Sequence, residues 1–194
     1  MKKQLKEMLR LCKAIAKNDA DNNARWKNLQ LVPEAYEKLV ALPLDFDEEV
    51  NAANRVDLIG HFADCISELD IPRFSLRMRE YQLSIYDQAE GCETRRQDIE
   101  KDIERLKDYL NPLVSVNAFC RKYNRHLRFD NVERSSEWEK VIYEVEKEVD
   151  EELKGEPRGM GFCYSYWSAK KAALARHGIE WASPSATNPG VIFD

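Results

Sequence analysis

Hydrophobic residues recur every three or four positions along most of the chain, which is the spacing of amphipathic helices. The first such stripe lies opposite lysines and glutamates and consists of Leu5, Met8, Leu9, Cys12 and Ile15. The pattern next predicts two short helices, over residues 26–31 and 33–42, the second with proline in its first turn. A longer helix is predicted from a cap at Asp45 to Leu69, where Pro72 follows as a stop.

Residues 73–88 fit two patterns. Phe74, Leu76 and Met78 alternate as in a strand, whereas Phe74, Met78, Tyr81 and Ile85 recur as on one face of a helix. We predict a helix here.

A narrow apolar seam follows, formed by Ile99, Ile103, Leu106 and Leu110. Opposite charges three residues apart support a helix at this seam. The seam is typical of one arm of a helical hairpin or of a short coiled coil, and the second interpretation would mean self-association.

The carboxy-terminal half contains the strongest helix prediction. Ser136 and Glu139 match a capping box, and Gly155 with Pro157 supplies a stop. Between them lies the apolar stripe Trp138, Val141, Ile142, Val145 and Val149. Further helices are predicted over residues 115–126 and 162–177, with a short helical turn opened by Ser183 and Pro184.

The predicted fold class is therefore mainly α: a compact multi-helix bundle in a single domain spanning residues 1–194. One short two-stranded ribbon is expected, with residues 127–130 paired to residues 191–194. Because a mobile tail rarely ends in an apolar run, we expect Ile192 and Phe193 to be packed and Trp181 to anchor the segment.

Composition narrows the class of protein. Of the 194 residues, 43% are apolar and 34% charged, which fits a folded domain with a charged surface. The five cysteines are scattered and form no C-x-x-C pair, and the first residues lack a signal-peptide core, so a cytoplasmic protein with reduced thiols is expected and no membrane partner. The net charge of −5 disfavours general nucleic-acid binding.

Charge is distributed in blocks along the chain. Residues 45–70 hold eight acids and one base, residues 111–131 are net basic, and residues 132–157 are strongly acidic. Such blocks are typical of solvated faces, and they could also pair within the fold or guide self-association.

No common catalytic or cofactor motif occurs in the sequence, so no cofactor and no catalytic residue are predicted. The histidines His61, His126 and His177 fall on three predicted helices, and their convergence would suit zinc or nickel. Two of them end helices, where histidine is favoured by the helix dipole, so we predict no metal site. The polar stripe Asp57, His61, Asp64 and Glu68 is read as a solvated helix face rather than a cation or proton site.

A small basic cluster lies in residues 121–128 and consists of Arg121, Lys122, Arg125, His126 and Arg128. Phe119, Tyr123 and Phe129 interleave with it. The arrangement could contact nucleic acid through phosphates and stacking. Pairing with the acidic helix of residues 137–152 explains it equally well, and a nucleic-acid partner is not expected.

Residues 158–194 are compositionally distinct, being dense in glycine and aromatic residues, and are the predicted site region. Flexible backbone amides, a helix amino terminus and an arginine could together hold a small anion there. The predicted ligand-binding residues are Arg158, Gly159, Gly161, Tyr164, Trp167, Lys170 and Trp181. The competing interpretation is a tight glycine connection followed by aromatic core residues.

Two function classes remain. The preferred hypothesis is a non-enzymatic helical module that binds a protein partner or itself through charged helix faces or the aromatic segment. The alternative is a protein that binds a small molecule or an anion in a pocket near residues 158–194, a class that includes enzymes. The sequence favours the first because catalytic spacings are missing.

Overall fold

Every regular element of the chain is helical in a computed structural model, which describes residues 2–21, 23–46 and 48–193. Within those ranges there is no strand, and no helix is long and apolar enough to cross a membrane. The α-helices are α1 (Lys2–Ala20), α2 (Asn28–Val40), α3 (Ala52–Asp64), α4 (Pro72–Ile85), α5 (Arg96–Leu110), α6 (Val116–Lys122), α7 (Ser136–Glu152), α8 (Phe162–Arg176) and α9 (Pro184–Thr187).

Short 3-10 helices connect several of these elements, at Arg25–Lys27, Glu48–Val50, Tyr86–Gln88 and Asn131–Arg134. The chain divides into two compact units, Met1–Lys107 and Asp108–Asp194, called here the first and second unit. The mainly α prediction is confirmed, and the single-domain organisation stays a prediction.

Helices α1 and α2 pack together in the first unit. The apolar stripe of α1 buries Leu5, Met8, Leu11 and Ile15, whereas Leu9 is 38% exposed, so the predicted stripe is wrong at this one position. The two short helices predicted next are in fact the single helix α2, with Pro33 inside it. Pro33 lies in the second turn and removes only the hydrogen bond to the Leu29 carbonyl, which a packed helix tolerates.

The long helix predicted from Asp45 to Leu69 is wrong at both ends. Helix α3 begins after Asn51, whose side chain accepts a hydrogen bond from the Asn54 amide at 2.9 Å, and it ends at Asp64. An asparagine cap with this geometry satisfies an amide that the helix itself cannot. The ambiguous residues 73–88 are helical, as predicted, and Pro72 is the first residue of α4.

Arg55 on α3 is 1% exposed and holds the connection between α2 and α3 in place. Its guanidinium donates hydrogen bonds of 2.5 to 3.1 Å to the backbone carbonyls of Leu39, Leu42, Pro43 and Val50. It also donates to the Tyr81 hydroxyl at 3.3 Å.

The apolar seam of α5 is covered inside the chain. Ile99 and Ile103 belong to a buried cluster with Val56, Ile85 and Ala89, and Leu106 is also fully buried. The seam therefore packs intramolecularly, which is the hairpin-arm interpretation. Self-association stays a prediction that this seam no longer supports.

Ion pairs join α4, α5 and the residues after α3. Arg79, 6% exposed, contacts Glu68 at 2.8 Å and Asp102 at 3.0 Å, and Arg105 contacts Glu68 at 2.6 Å. Buried charges of this kind are tolerated when each has an opposite partner.

In the second unit, α7 and α8 pack together. The α7 prediction is confirmed, although the cap is Ser135, whose hydroxyl accepts from the Trp138 amide at 3.1 Å, rather than Ser136. The buried stripe consists of Trp138, Ile142, Val145 and Val149, with Val141 half-buried.

The predicted ribbon between residues 127–130 and 191–194 is wrong for the described residues, and Asp194 lies outside them. The Asn188 side chain replaces strand pairing: its amide oxygen accepts from the Arg128 N–H at 2.8 Å, and its amide nitrogen donates to the Arg128 carbonyl at 2.8 Å. Because one side-chain amide satisfies both backbone groups, residues 127–130 need no partner strand.

The tail is only partly packed. Ile192 is 88% exposed, so the expectation of burial is wrong for it, whereas Phe193 is half-buried with its ring 4.9 Å from that of Trp167. Trp181 is 6% exposed and anchors the segment as predicted. The cap at Ser183 and the short helix α9 are also confirmed.

Candidate functional site

A cavity of about 640 Å³ lies in the second unit, between the end of α6, the residues that follow it and the tail. We call it the basic cavity. It is lined by Asn117, Cys120, Arg121, Asn124, Arg125, His126, Arg128, Asn188, Pro189 and Val191.

The end of α6 shapes one wall of the basic cavity. Asn124 takes a left-handed backbone conformation, with φ of 51°, and the Arg125 amide donates to the Cys120 carbonyl at 2.8 Å. This six-to-one hydrogen bond is the Schellman motif, for which asparagine is the usual alternative to glycine. The reversal brings Arg125, His126 and Arg128 beside Arg121 of the helix.

The tail forms the opposite wall, and Asn188 fixes it. This side chain is 5% exposed, and besides its two bonds to Arg128 it donates to the Pro184 carbonyl at 2.9 Å. The Thr187 hydroxyl donates to the Arg128 carbonyl at 3.1 Å. These bonds hold Pro189 and Val191 at the edge of the cavity.

The cationic side chains of the cavity have no acidic partner. Among residues 2–21, 23–46 and 48–193, no carboxylate forms an ion pair or hydrogen bond with the side chain of Arg121, Arg125, His126 or Arg128, and no acidic residue lines the cavity. Lys122, the remaining member of the predicted basic cluster, points to Asp108 at 2.7 Å instead. The predicted pairing of the cluster with α7 therefore does not occur for the four cavity residues.

The aromatic residues of the same segment serve the core instead of the cavity. Phe119 and Phe129 are at most 8% exposed, and with Tyr109 they surround the Arg134 guanidinium at 5.0 to 5.8 Å from the ring centroids. Burial lowers the pKa of Arg134 from its ordinary value. Phe119 and Phe129 are thus not available to stack on the bases of a nucleic acid.

The thiol that lines the cavity is not a nucleophile in this state. Cys120 is 6% exposed, and burial raises its pKa even though Arg125 opposes the shift. Since the thiolate is the reactive form, a raised pKa leaves the thiol protonated and unreactive near neutral pH. The arrangement suits binding by charge rather than covalent chemistry.

The seven residues predicted from the sequence lie in three places. Arg158 contacts Asp150 at 3.2 Å and covers the Phe162 ring, so its charge already has a partner. Gly161 is the left-handed cap of α8, with φ of 81°, and Gly159 accepts the Phe162 amide at 3.1 Å. These bonds occupy part of the amide set that was expected to hold an anion.

Tyr164 and Trp167 form a second group, with ring centroids 5.5 Å apart and Phe193 stacked edge-on against Trp167. This group lies at the surface, because Tyr164 is 49% exposed.

Lys170 and Trp181 form the third group, which is buried. Lys170 contacts Glu146 at 2.6 Å, and its ammonium lies 5.0 Å from the Trp138 ring centroid and 5.7 Å from that of Trp181. A second depression of about 550 Å³ borders Trp181 and is also lined by Lys171 and Glu180. Of the seven predicted residues, the depression includes only Trp181.

The histidines and the polar stripe have separate partners. His61 lies 3.6 Å from the Cys65 sulfur, and burial raises the pKa of that thiol to about 11. His177 contacts Glu148 at 2.9 Å, and His126 lines the basic cavity. In the part of the chain that the structure describes, no group of three or more ligating side chains could hold a metal ion.

Asp57 of the predicted polar stripe holds the residues that lead into α5. Its carboxylate accepts from the Glu93 amide at 3.0 Å and from the Thr94 amide and hydroxyl at 2.9 and 2.7 Å. Glu68 belongs to the ion pairs with Arg79 and Arg105 described above. These residues stabilise the fold and do not converge on one site.

Comparison of the chain with models of known protein families, with curated proteins and with solved structures finds no match. Function must therefore be inferred from the site itself. The sequence did identify the basic cluster, but not its opposite wall, because nothing in the sequence indicates that Asn188 bonds to Arg128.

Proposed function

We propose that this chain is a non-enzymatic interaction module that holds an anionic group of its partner in the basic cavity. The observation that carries the proposal is the set of three arginines and one histidine around a cavity of about 640 Å³, with no acidic partner among the described residues. This combines the interaction module expected from the sequence with the anion binding that was its alternative, at a different place.

The chemistry of the lining supports an anionic ligand. A guanidinium presents paired N–H donors that match a carboxylate or a phosphate, and such charge-assisted hydrogen bonds are about twice as strong as neutral ones. Arg121, Arg125 and Arg128 are all exposed, and no carboxylate of the described residues pairs with them, although the Arg125 guanidinium lies 5.6 Å from the centroid of the Phe129 ring. A ligand therefore does not have to break an existing ion pair.

The size of the cavity supports recognition of one group rather than a long polymer. Pockets of about 300 to 1,000 Å³ are typical of small ligands and of single recognised side chains.

The free thiols of all five cysteines are consistent with a reducing compartment, and we propose a cytoplasmic location for the module on that ground.

The proposal is tested by titrating the full chain with pyrophosphate, a compact anion, and following backbone amide signals by NMR. We expect shifts confined to residues 117–128 and 188–191. The variant Arg125→Gln/Arg128→Gln should lose most of this response, because it removes two of the cavity's charges.

A matched control removes the same charge elsewhere in the second unit. Lys140 and Lys154 are exposed and lie outside the basic cavity, so Lys140→Gln/Lys154→Gln should respond to pyrophosphate as the unaltered chain does. Equal losses in both variants, or shifts at lysines and arginines throughout the chain, would reduce the effect to general charge screening and reject the proposal.

A further inference from the structure

Resting on this proposed function, we infer that the natural occupant is an extended peptide in which an acidic side chain has apolar side chains on one side of it. The acidic group enters the basic cavity, and the apolar side chains lie along an exposed strip that begins at the cavity edge. This apolar strip consists of Val191, Ile192, Phe193, Trp167 and Tyr164.

The strip is continuous with the cavity through the chain itself. Val191 lines the cavity and is 45% exposed, and the next residue, Ile192, is 88% exposed. Phe193 then contacts Trp167, whose other neighbour is Tyr164. A ligand anchored by its charge in the cavity thus meets aliphatic and then aromatic surface in one direction.

The exposure of this strip calls for an occupant. A single exposed apolar residue is ordinary, but three consecutive tail residues leading to an aromatic group form a contiguous patch, which is typical of interaction sites. A complex is stabilised when such a patch is covered by apolar side chains of a partner. Because the patch lies beside arginines that pair with no described carboxylate, the same partner is expected to offer an acidic side chain as well.

Charge along the strip argues against nucleic acid. A single strand carries a phosphate at every nucleotide, so each successive phosphate needs a cation nearby. Residues 189–193 carry no charge, and the chain as a whole carries −5. A strand anchored in the cavity would place its next phosphates over apolar surface, whereas a peptide backbone is neutral and its apolar side chains fit.

Selection from a phage-displayed library of random peptides about ten residues long tests the inference without a preset sequence. We expect the full chain to enrich peptides in which Asp or Glu lies on one side of a run of Leu, Ile, Phe or Trp. A synthetic peptide from this set should bind about tenfold more weakly to Ile192→Ser, as measured by fluorescence anisotropy. Binding to Arg125→Gln/Arg128→Gln should weaken at least as much.

The two variants separate the inference from the proposed function. If Ile192→Ser binds the peptide unchanged while the arginine variant loses it, the apolar strip plays no part and the inference fails, but the anion site stands. If the arginine variant also binds both the peptide and pyrophosphate unchanged, the proposed function fails as well.

Three further outcomes overturn the inference. One is a library selection that gives no enrichment over the arginine variant, and another is enrichment of peptides without acids. The third is an oligothymidylate that binds more tightly than the selected peptide and shifts the same amides. Because Ile192 is almost fully exposed, its replacement by serine should leave folding intact, which a thermal melt of the variant checks.

Discussion

The buried arginines of the first unit differ from the cavity arginines of the second unit in what they contact. In the first unit, Arg55 and Arg79 are buried, and every interaction they make serves the fold: Arg55 holds four carbonyls, and Arg79 holds two carboxylates. In the second unit, Arg125 and Arg128 are exposed, and no carboxylate in the described residues meets either side chain.

This difference shows which charges are available to a partner. Burying a guanidinium requires hydrogen bonds that replace its hydration, so a buried arginine is already saturated by the fold. An exposed arginine with no partner keeps its hydration and costs little to leave unpaired, and it can exchange water for an anionic ligand. The first kind stabilises the fold and, under the function that we propose, the second kind binds the partner, so replacing them leads to opposite predictions.

The largest effect is expected at Arg55. Replacing it by methionine removes a donor from four buried or half-buried carbonyls, of which only those of Leu39 and Pro43 keep a backbone N–H partner among the described residues. The free energy of unfolding should therefore fall by roughly 3 to 5 kcal/mol in urea denaturation. The control is Arg77→Met, because Arg77 is an exposed arginine of the same unit that pairs with Glu37 and should cost at most about 1 kcal/mol. Similar losses in the two variants would show that burial does not distinguish these arginines.

A smaller loss is expected at Asn188. Asn188→Ala removes the acceptor of the Arg128 N–H and should lower the free energy of unfolding by about 1 to 3 kcal/mol. It should also weaken pyrophosphate binding, because the cavity wall is released. Asn117→Ala is the control for stability, since that exposed side chain lines the cavity without a hydrogen bond to the described residues. A variant that melts and binds like the unaltered chain would mean that the wall holds without Asn188.

Asp57 gives an effect of about 1 kcal/mol that depends on pH. Partial burial raises the pKa of this carboxyl, but the hydrogen bonds from Glu93 and Thr94 together lower it by more, so the pKa lies below its ordinary value. A lowered pKa stabilises the fold above the ordinary value, and this contribution disappears as the carboxyl is protonated in acid.

Asp57→Asn should therefore reduce stability by about 0.5 to 2 kcal/mol at pH 7. The difference should shrink as the pH falls through the ordinary range of an aspartate and vanish only below the lowered pKa of the folded protein. Asp64→Asn, on the same helix, controls for loss of an exposed charge. A difference that is constant from pH 7 to pH 3 would show that the Asp57 carboxylate does not stabilise the residues leading into α5 through its charge.

The smallest change in stability is expected in the basic cavity. Arg125→Gln/Arg128→Gln removes two charges that form no ion pair with the described residues, so the free energy of unfolding should stay within about 0.5 kcal/mol of the unaltered chain. Chemical denaturation beside the pyrophosphate titration checks both halves of the comparison. A loss above about 2 kcal/mol would place these arginines in the fold, as Arg55 is, and would make a loss of binding uninformative.

Much of the fold follows from apolar periodicity. Helices α1, α5 and α7 were predictable because each presents one apolar face to a core, as the stripe from Trp138 to Val149 shows, whereas the buried face of α4 includes Arg79 and Gln82. The errors occur where a local signal was outcompeted. Asp45 and Ser136 match capping patterns, but Asn51 and Ser135 supply the actual caps, and Pro33 lies within a helix instead of starting one.

The candidate site was less predictable because it depends on contacts between distant residues. The basic cluster was visible in the sequence, yet its lack of acidic partners is known only from the fold. Residues 127–130 were expected to be extended and to pair with a second strand. The sequence does not reveal that the side chain of Asn188 bonds to the backbone of Arg128 instead. Arg158 and Lys170 were predicted to bind a ligand, but each has an acidic partner that the sequence did not reveal. These partners are Asp150 and Glu146, which lie 8 and 24 positions earlier in the chain.

The bond between Asn188 and Arg128 also has a consequence for synthesis. It joins residues 60 positions apart, whereas Arg55 reaches the Leu39 carbonyl only 16 positions away. Contacts of short sequence separation can form early, while distant ones must wait for the later residue to be made. During translation, the first unit can therefore reach its native contacts while the basic cavity is still open on one side, and the binding that we propose has to wait until residue 188 has left the ribosome.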